Sequence, residues 1–163
     1  MTAGVERVPP GIAGSSGQAL VEFAMTIAVF LVLVLGAVTA SVYTVERGAA
    51  VTGVAAGARV AVGGSGGPSG ENTPNLTGAL PAVVQVTRPL LFGTTIDQLP
   101  PGQPCPADVS SVPRGQVEVC ATRSGSLVTV RLEGWPAGLG PAAWGLEWPL
   151  DVSAQVHTVT FSR

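Results

Sequence analysis

The side chains that could carry out chemistry are few in this sequence and widely spaced. The chain has a single histidine, His157, and three acidic residues toward its C-terminus are scattered: Glu133, Glu147 and Asp151. A catalytic site needs a nucleophile, acid or base held beside a partner, and no spacing here predicts such a pair. We therefore predict no catalytic residue, no metal site, no cofactor and no small-molecule substrate, and we do not expect an enzyme.

The two cysteines, Cys105 and Cys120, offer the one predictable covalent link. They lack the short spacing of a zinc or redox motif. In an oxidising compartment a disulfide between them would close a loop and contribute about 3 kcal/mol by the chain-entropy argument. Two free thiols are the alternative if that part of the chain stays in a reducing compartment.

Composition narrows the class of protein. Of the 163 residues, 46% are hydrophobic and only 11% are charged, and the net charge is −2. The eight basic side chains are too few to neutralise many phosphates. We therefore predict no nucleic-acid partner. The 22 glycines and 14 prolines argue against an all-helical bundle.

The hydrophobic residues concentrate near the N-terminus. Residues 23–45 form a run without a charge, FAMTIAVFLVLVLGAVTASVYTV. A helix of that length measures about 34 Å, enough to cross a hydrocarbon core of about 30 Å. A buried core helix is the alternative, but one this long normally carries a polar stripe. We predict a transmembrane segment over 23–45 inside one continuous helix over 18–62, which ends at the glycine-rich residues 63–68.

One carboxylate stands at the head of this run. Glu22 is costly there unless lipid headgroups solvate it or a cation pairs with it. Gly17, Gln18, Glu22 and Phe23, followed by the apolar run, resemble the class III leader of type IV pilin-like proteins. More narrowly, residues 17–62 resemble the TadE/TadF group of the Tad (tight adherence) pilus machinery, including the stretch that ends in Gly57-Ala58-Arg59.

The resemblance implies a processed structural subunit, a minor pilin or pseudopilin of a Tad-type pilus. A prepilin peptidase would cut between Gly17 and Gln18 and remove a cytoplasmic leader, residues 1–17. Glu22 and Phe23 would then guide assembly, because the carboxylate of one subunit can pair with the new α-amine of its neighbour and set the axial register.

The same resemblance implies the partners and the location. The partners are the prepilin peptidase, other pilin subunits, the inner-membrane assembly machinery and membrane lipid. The chain would span the bacterial cytoplasmic membrane once, with its C-terminal domain extracytoplasmic, or would reach the cell surface in a pilus.

Two other interpretations of the N-terminal segment stay open. Val38-Thr39-Ala40 could end a removable secretory signal, although the apolar run is longer than the usual signal core. Alternatively, the chain is a single-pass membrane-anchored binding module outside the cytoplasm that never joins a filament.

Small residues recur every fourth position in the outer half of the helix. This small-residue stripe consists of Ala49, Gly53, Gly57 and Ala61. Such spacing places them along one face, where they let a second helix approach closely. The stripe predicts a helix-packing seam, either with other pilins or with the head domain of the same chain.

The remainder predicts an α+β, pilin-like fold in which a small antiparallel β head follows the long helix. Residues 63–115 are expected to form a Gly/Pro-rich linker, a short helix over 80–91 broken near Pro89, and a loop. Residues 116–163 form the head, with alternating patterns that predict strands over 116–122, 127–133 and 150–161. Three tryptophans are expected to cap the sheet edge, with a contact surface as the alternative: Trp135, Trp144 and Trp148.

Overall fold

A computed structural model describes residues 15–63, 74–91, 93–137 and 148–158. Most of the predicted leader, most of the glycine-rich linker, Trp144 and the end of the third predicted strand lie outside these residues. The chain divides into two compact units, Met1–Val38 and Thr39–Arg163. The fold is α+β, as predicted, with a long N-terminal helix followed by a small sheet.

Helix α1 runs over Ser15–Val62 without interruption. In the second unit its residues alternate between buried and exposed at helical spacing. The buried positions are Glu46, Ala49, Ala50, Gly53, Val54, Gly57, Ala58 and Ala61. Recurrence at intervals of three and four places them on one face, which is the pattern of a helix that covers a core.

Helix α2 runs over Leu76–Thr87 and forms an antiparallel hairpin with the end of α1. Asn75 starts it, because its side-chain Oδ1 accepts a hydrogen bond from the Gly78 N–H at 2.8 Å. The Asn75 N–H in turn donates to the carbonyl of Ala61 at 2.9 Å. The helix therefore starts four residues before the predicted residue 80. Pro81, which has no N–H to donate, is accommodated inside the helix at an exposed position.

Within the described residues the sheet has four strands in chain order. They are β1 (Thr95–Gln98), β2 (Gln116–Ser124), β3 (Leu127–Trp135) and β4 (Leu150–His157). The pairs β2–β3 and β3–β4 are antiparallel, whereas β1 lies parallel to β2. The three predicted strands form the predicted antiparallel sheet, and β1 adds a parallel edge that the sequence did not predict. The region 93–115, predicted as a loop, contains β1 and a 3₁₀ turn over Val109–Ser111. The sequence did not predict β1 because a pattern of four residues near several prolines is too short to indicate a strand.

The core lies between the helical hairpin and one face of the sheet. Its sheet residues are those predicted to face inward from β2 and β3, and all are fully buried: Val117, Val119, Ala121, Val128, Val130 and Leu132. The predicted inward face of β4, Val152, Ala154 and Val156, packs against the same core but is only half-buried. The helices thus cover the centre of the sheet better than its β4 edge.

Strands β2 and β3 approach closely near their open end. Gly134 has φ +141°, and a Cβ there would lie 2.4 Å from the carbonyl oxygen of Gln116. Only glycine fits this contact, because the obstacle is backbone and cannot rotate away. Beyond this point β3 ends and the chain leaves the sheet.

Candidate functional site

The N-terminal part of α1 has an apolar and exposed surface. From Gly17 onward the helix contains a window of mean hydropathy 2.5, and none of that window is buried. Large side chains there face outward, among them Leu20, Phe23 and Met25. The helix is long and apolar enough to cross a membrane. An exposed apolar surface of this size needs lipid or other apolar helices around it.

The predicted processing and register residues lie together at the head of this surface. Gln18 Nε2 donates to Glu22 Oε1 at 3.2 Å, one helical turn away, and both side chains are exposed. The Thr26 hydroxyl donates to the backbone carbonyl of Glu22 at 2.8 Å. The carboxylate is therefore presented on the helix surface with one oxygen held by Gln18, and Gly17 and Phe23 are exposed beside it.

The small-residue stripe meets helix α2 of the same chain. A Cβ on Gly57 would lie 3.0 Å from the carbonyl oxygen of Ala79 and 2.5 Å from Cγ2 of Val83. A Cβ on Gly53 would lie 3.2 Å from the Val83 carbonyl oxygen. Ala49 and Ala61 are buried on the same face. The seam that the structure forms is within the chain: it lies mainly against α2, and at Gly57 it also reaches Val130 of the head.

Glu46 is the first buried side chain along α1, one turn after Tyr43, which is half-buried against the core. Its side chain is 3% exposed, and its Oε1 has no hydrogen-bond partner among the described residues. The charge-free run ends one residue earlier, at Val45. Full burial on α1 thus starts directly after the end of the predicted membrane segment.

A disulfide holds a loop against the outer face of the sheet. Cys105 and Cys120 are bonded, with their Cα atoms 5.5 Å apart, as predicted. Arg131 Nη1 donates to the Pro106 carbonyl at 3.1 Å, and Trp135 Nε1 donates to the Val109 carbonyl at 3.1 Å. Glu133 lies between Arg131 and Trp135 on this face and is fully buried, so the loop covers it.

Arg131 is the centre of a polar cluster under and beside this loop. Its Nε and Nη2 donate to the two carboxylate oxygens of Asp151 at 2.8 and 2.9 Å, a bidentate pair. Nη2 also lies 2.9 Å from Glu133 Oε2, but this ion pair lacks hydrogen-bond geometry, and neither Glu133 oxygen accepts a hydrogen bond from the part of the chain that the structure describes. Glu133 and Asp151 are direct cross-strand partners.

The sequence missed this pairing of carboxylates. Both residues fall on outward positions of predicted strands, but only the register of β3 against β4 brings them together. That register places Asp97, Glu118, Glu133 and Asp151 in one row across the four strands. Burial raises the pKa of the Glu133 carboxyl above its ordinary 4.5, against the attraction of Arg131. The hydrogen bonds from Arg131 lower the pKa of Asp151 below 3.8.

These opposite shifts predict a pH dependence of stability. The folded state holds the Glu133 proton more tightly than the unfolded state does. Protonated Glu133 therefore contributes fully to the free energy of unfolding below pH 4.5, and this contribution is lost as the pH rises through the folded pKa. Asp151 affects stability in a lower pH range. Its ionised form contributes to the free energy of unfolding above pH 3.8, and this contribution is lost as the pH falls through its depressed pKa. We expect the unfolding temperature to decline from about pH 4.5 toward neutrality in the native chain and less in Glu133→Gln. Thermal unfolding of both in detergent micelles measures this, and parallel curves for the two proteins would contradict it.

The remaining singled-out side chains take separate positions. His157 is exposed on the edge strand β4, as predicted. Trp135 lies beside Arg114, whose guanidinium carbon is 5.9 Å from the ring centroid. Trp148 instead contacts Tyr43 of α1 edge-to-face, so these two tryptophans do not form a common cap. Within the described residues, no group of three histidine, cysteine or acidic side chains is arranged to hold a metal ion.

Comparison with known proteins returns no relative. No protein-family model matches the chain, and no curated protein or solved structure is similar to it.

Proposed function

We propose that this chain is a minor pilin or pseudopilin, a structural subunit of a Tad-type, type IV-like pilus. A prepilin peptidase processes it after Gly17, and it packs through the N-terminal half of α1. The observation that carries this proposal is the division of α1 into two surfaces. The exposed apolar half starts beside the Gly17-Gln18 junction, and the buried half begins at Glu46.

The division matters because it leaves a filament-forming surface available. The small-residue stripe is occupied by α2, so neighbouring subunits have to use the exposed apolar half of α1. In the cytoplasmic membrane that half spans the bilayer, with the head outside the cytoplasm. In a filament, other pilin helices replace the lipid and keep the apolar surface away from water.

The polar head of this surface supports a register role for Glu22. Gln18 occupies Oε1 of the carboxylate, and after cleavage the α-amine of Gln18 becomes a cation for the Glu22 of a neighbouring subunit. Pairing the two charges in an apolar bundle offsets their desolvation, and a mispaired subunit leaves a charge buried alone. The pair therefore selects one axial offset between helices.

The site of processing tests the proposal. We expect the chain, co-expressed with a prepilin peptidase in a bacterial host, to yield a membrane-bound product whose first residue is Gln18, by intact mass and N-terminal sequencing. Gly17→Val should abolish the cleavage because the peptidase cuts after a glycine, whereas the matched change Gly14→Val should not. A product that keeps Met1 would support a plain membrane anchor, and one that begins at Ser41 would show a removed secretory signal.

A further inference from the structure

We propose that the ring pair Tyr43–Trp148 is a lipid-contacting anchor, through which the head domain rests on the headgroup region of the membrane that α1 crosses. Trp148 comes from the chain just before β4, more than a hundred residues after Tyr43. The proposal rests only on the membrane-spanning part of the proposed function and does not require pilus assembly.

Both members of the pair are connected to the hydrophobic core. The ring centroids of Tyr43 and Trp148 are 5.0 Å apart at an interplanar angle of 62°, an edge-to-face contact. Tyr43 packs against the hydrophobic core, and Leu150, two residues after Trp148, is 1% exposed in that core. Trp148 itself remains 42% exposed. The fold therefore fixes a large apolar ring and leaves much of it uncovered.

The position of the pair along α1 identifies what covers it. The charge-free run ends at Val45, and Glu46 and Arg47 follow. Tyr43 thus lies about 4.5 Å before the first charge, at 1.5 Å per helical residue. The interfacial layer on each side of a bilayer is about 5–8 Å thick. With residues 23–45 in the membrane, Tyr43 and the ring in contact with it lie within this layer.

The chemistry of the two rings suits this layer. Tyrosine and tryptophan each combine an apolar body with a polar group, and they are enriched at membrane–water interfaces for that reason. Arg47, exposed one turn after Tyr43, is a cation of the kind that pairs with lipid phosphate at this level of the membrane. Lipid is therefore the occupant that this surface fits, rather than a second protein.

Fluorescence quenching by brominated lipid tests the anchor in the full chain. The native chain, Trp148→Phe and Trp135→Phe are reconstituted into phosphatidylcholine vesicles with bromine either near the carbonyl end or near the methyl end of the acyl chains. We expect the shallow bromines to quench a component of the native emission that the deep bromines quench less. This component should be lost in Trp148→Phe and kept in Trp135→Phe, because Trp135 lies on the outer face of the sheet beside Val109.

The outcomes separate the anchor from the alternatives. Equal shallow quenching in the native chain and Trp148→Phe would overturn the proposal. If Trp148 emission is not quenched by bromine at either depth and changes with protein concentration, the surface contacts a protein partner, and this result also overturns the proposal. Alkaline carbonate extraction is run on the same vesicles, and release of the chain would show that α1 does not span the bilayer. Prepilin processing is not needed for either readout, so failure of the pilin proposal remains distinguishable.

Discussion

Gly57→Ala is expected to destabilise the folded chain by about 1–3 kcal/mol, although alanine is the better helix former. On helix propensity alone the change should stabilise α1 by about 0.5–1 kcal/mol. The new methyl group, however, would lie 2.5 Å from Cγ2 of Val83 and 3.0 Å from the carbonyl oxygen of Ala79. Val83 is fully buried and the carbonyl is backbone, so α2 has to move away from α1. Packing therefore outweighs propensity at this position.

Gly48→Ala is the matched control on the same helix. Gly48 is exposed, and a Cβ there would meet nothing within 4 Å. It should raise stability by up to about 1 kcal/mol, because only the propensity effect remains. Thermal unfolding of the full chain in detergent micelles measures both, at roughly 2–4 °C per kcal/mol for a chain of this size. Equal shifts of the same sign in the two variants would show that the stripe does not pack against α2.

Glu22→Ala is expected to leave membrane insertion and cleavage intact and to reduce incorporation into filaments by more than about tenfold. The expectation follows from the proposed pairing, because the variant leaves the ammonium of a neighbouring Gln18 buried without its partner, and a broken buried pair costs about 3–5 kcal/mol. Insertion should persist because removing an acid from the head of an apolar helix lowers the cost of membrane entry. The measurement is the amount of the chain in the sheared pilus fraction relative to the membrane fraction.

Two further variants show which property of Glu22 matters. Glu22→Gln keeps the shape and the hydrogen-bonding capacity but removes the charge, so it should assemble as poorly as Glu22→Ala. Thr26→Val removes the hydroxyl that donates to the Glu22 backbone carbonyl and should assemble normally. Normal piliation in Glu22→Ala would rule out the register role and leave the pilin proposal resting on processing alone.

Local patterns predicted much of this fold. Short windows of sequence are enough to predict the apolar run of α1 and the inward faces of β2, β3 and β4. Their hydropathy patterns repeat between residues that are close along the chain. The weak elements did not follow from such patterns. Strand β1 has four residues and exists because the edge of β2 supplies its hydrogen bonds. Helix α2 starts at Leu76 because Asn75 both caps it and bonds to Ala61.

The sequence by itself determined that an apolar helix with one acid at its head precedes a small sheet, because charge, hydropathy and periodicity are properties of the chain alone. Only the tertiary structure decided the partner of the small-residue stripe, the pairing of Arg131 with Asp151, and the contact of Trp148 with Tyr43. Each of these joins residues 20 or more positions apart or depends on strand register. Such contacts are selected by the packing of the whole unit, which no local pattern records.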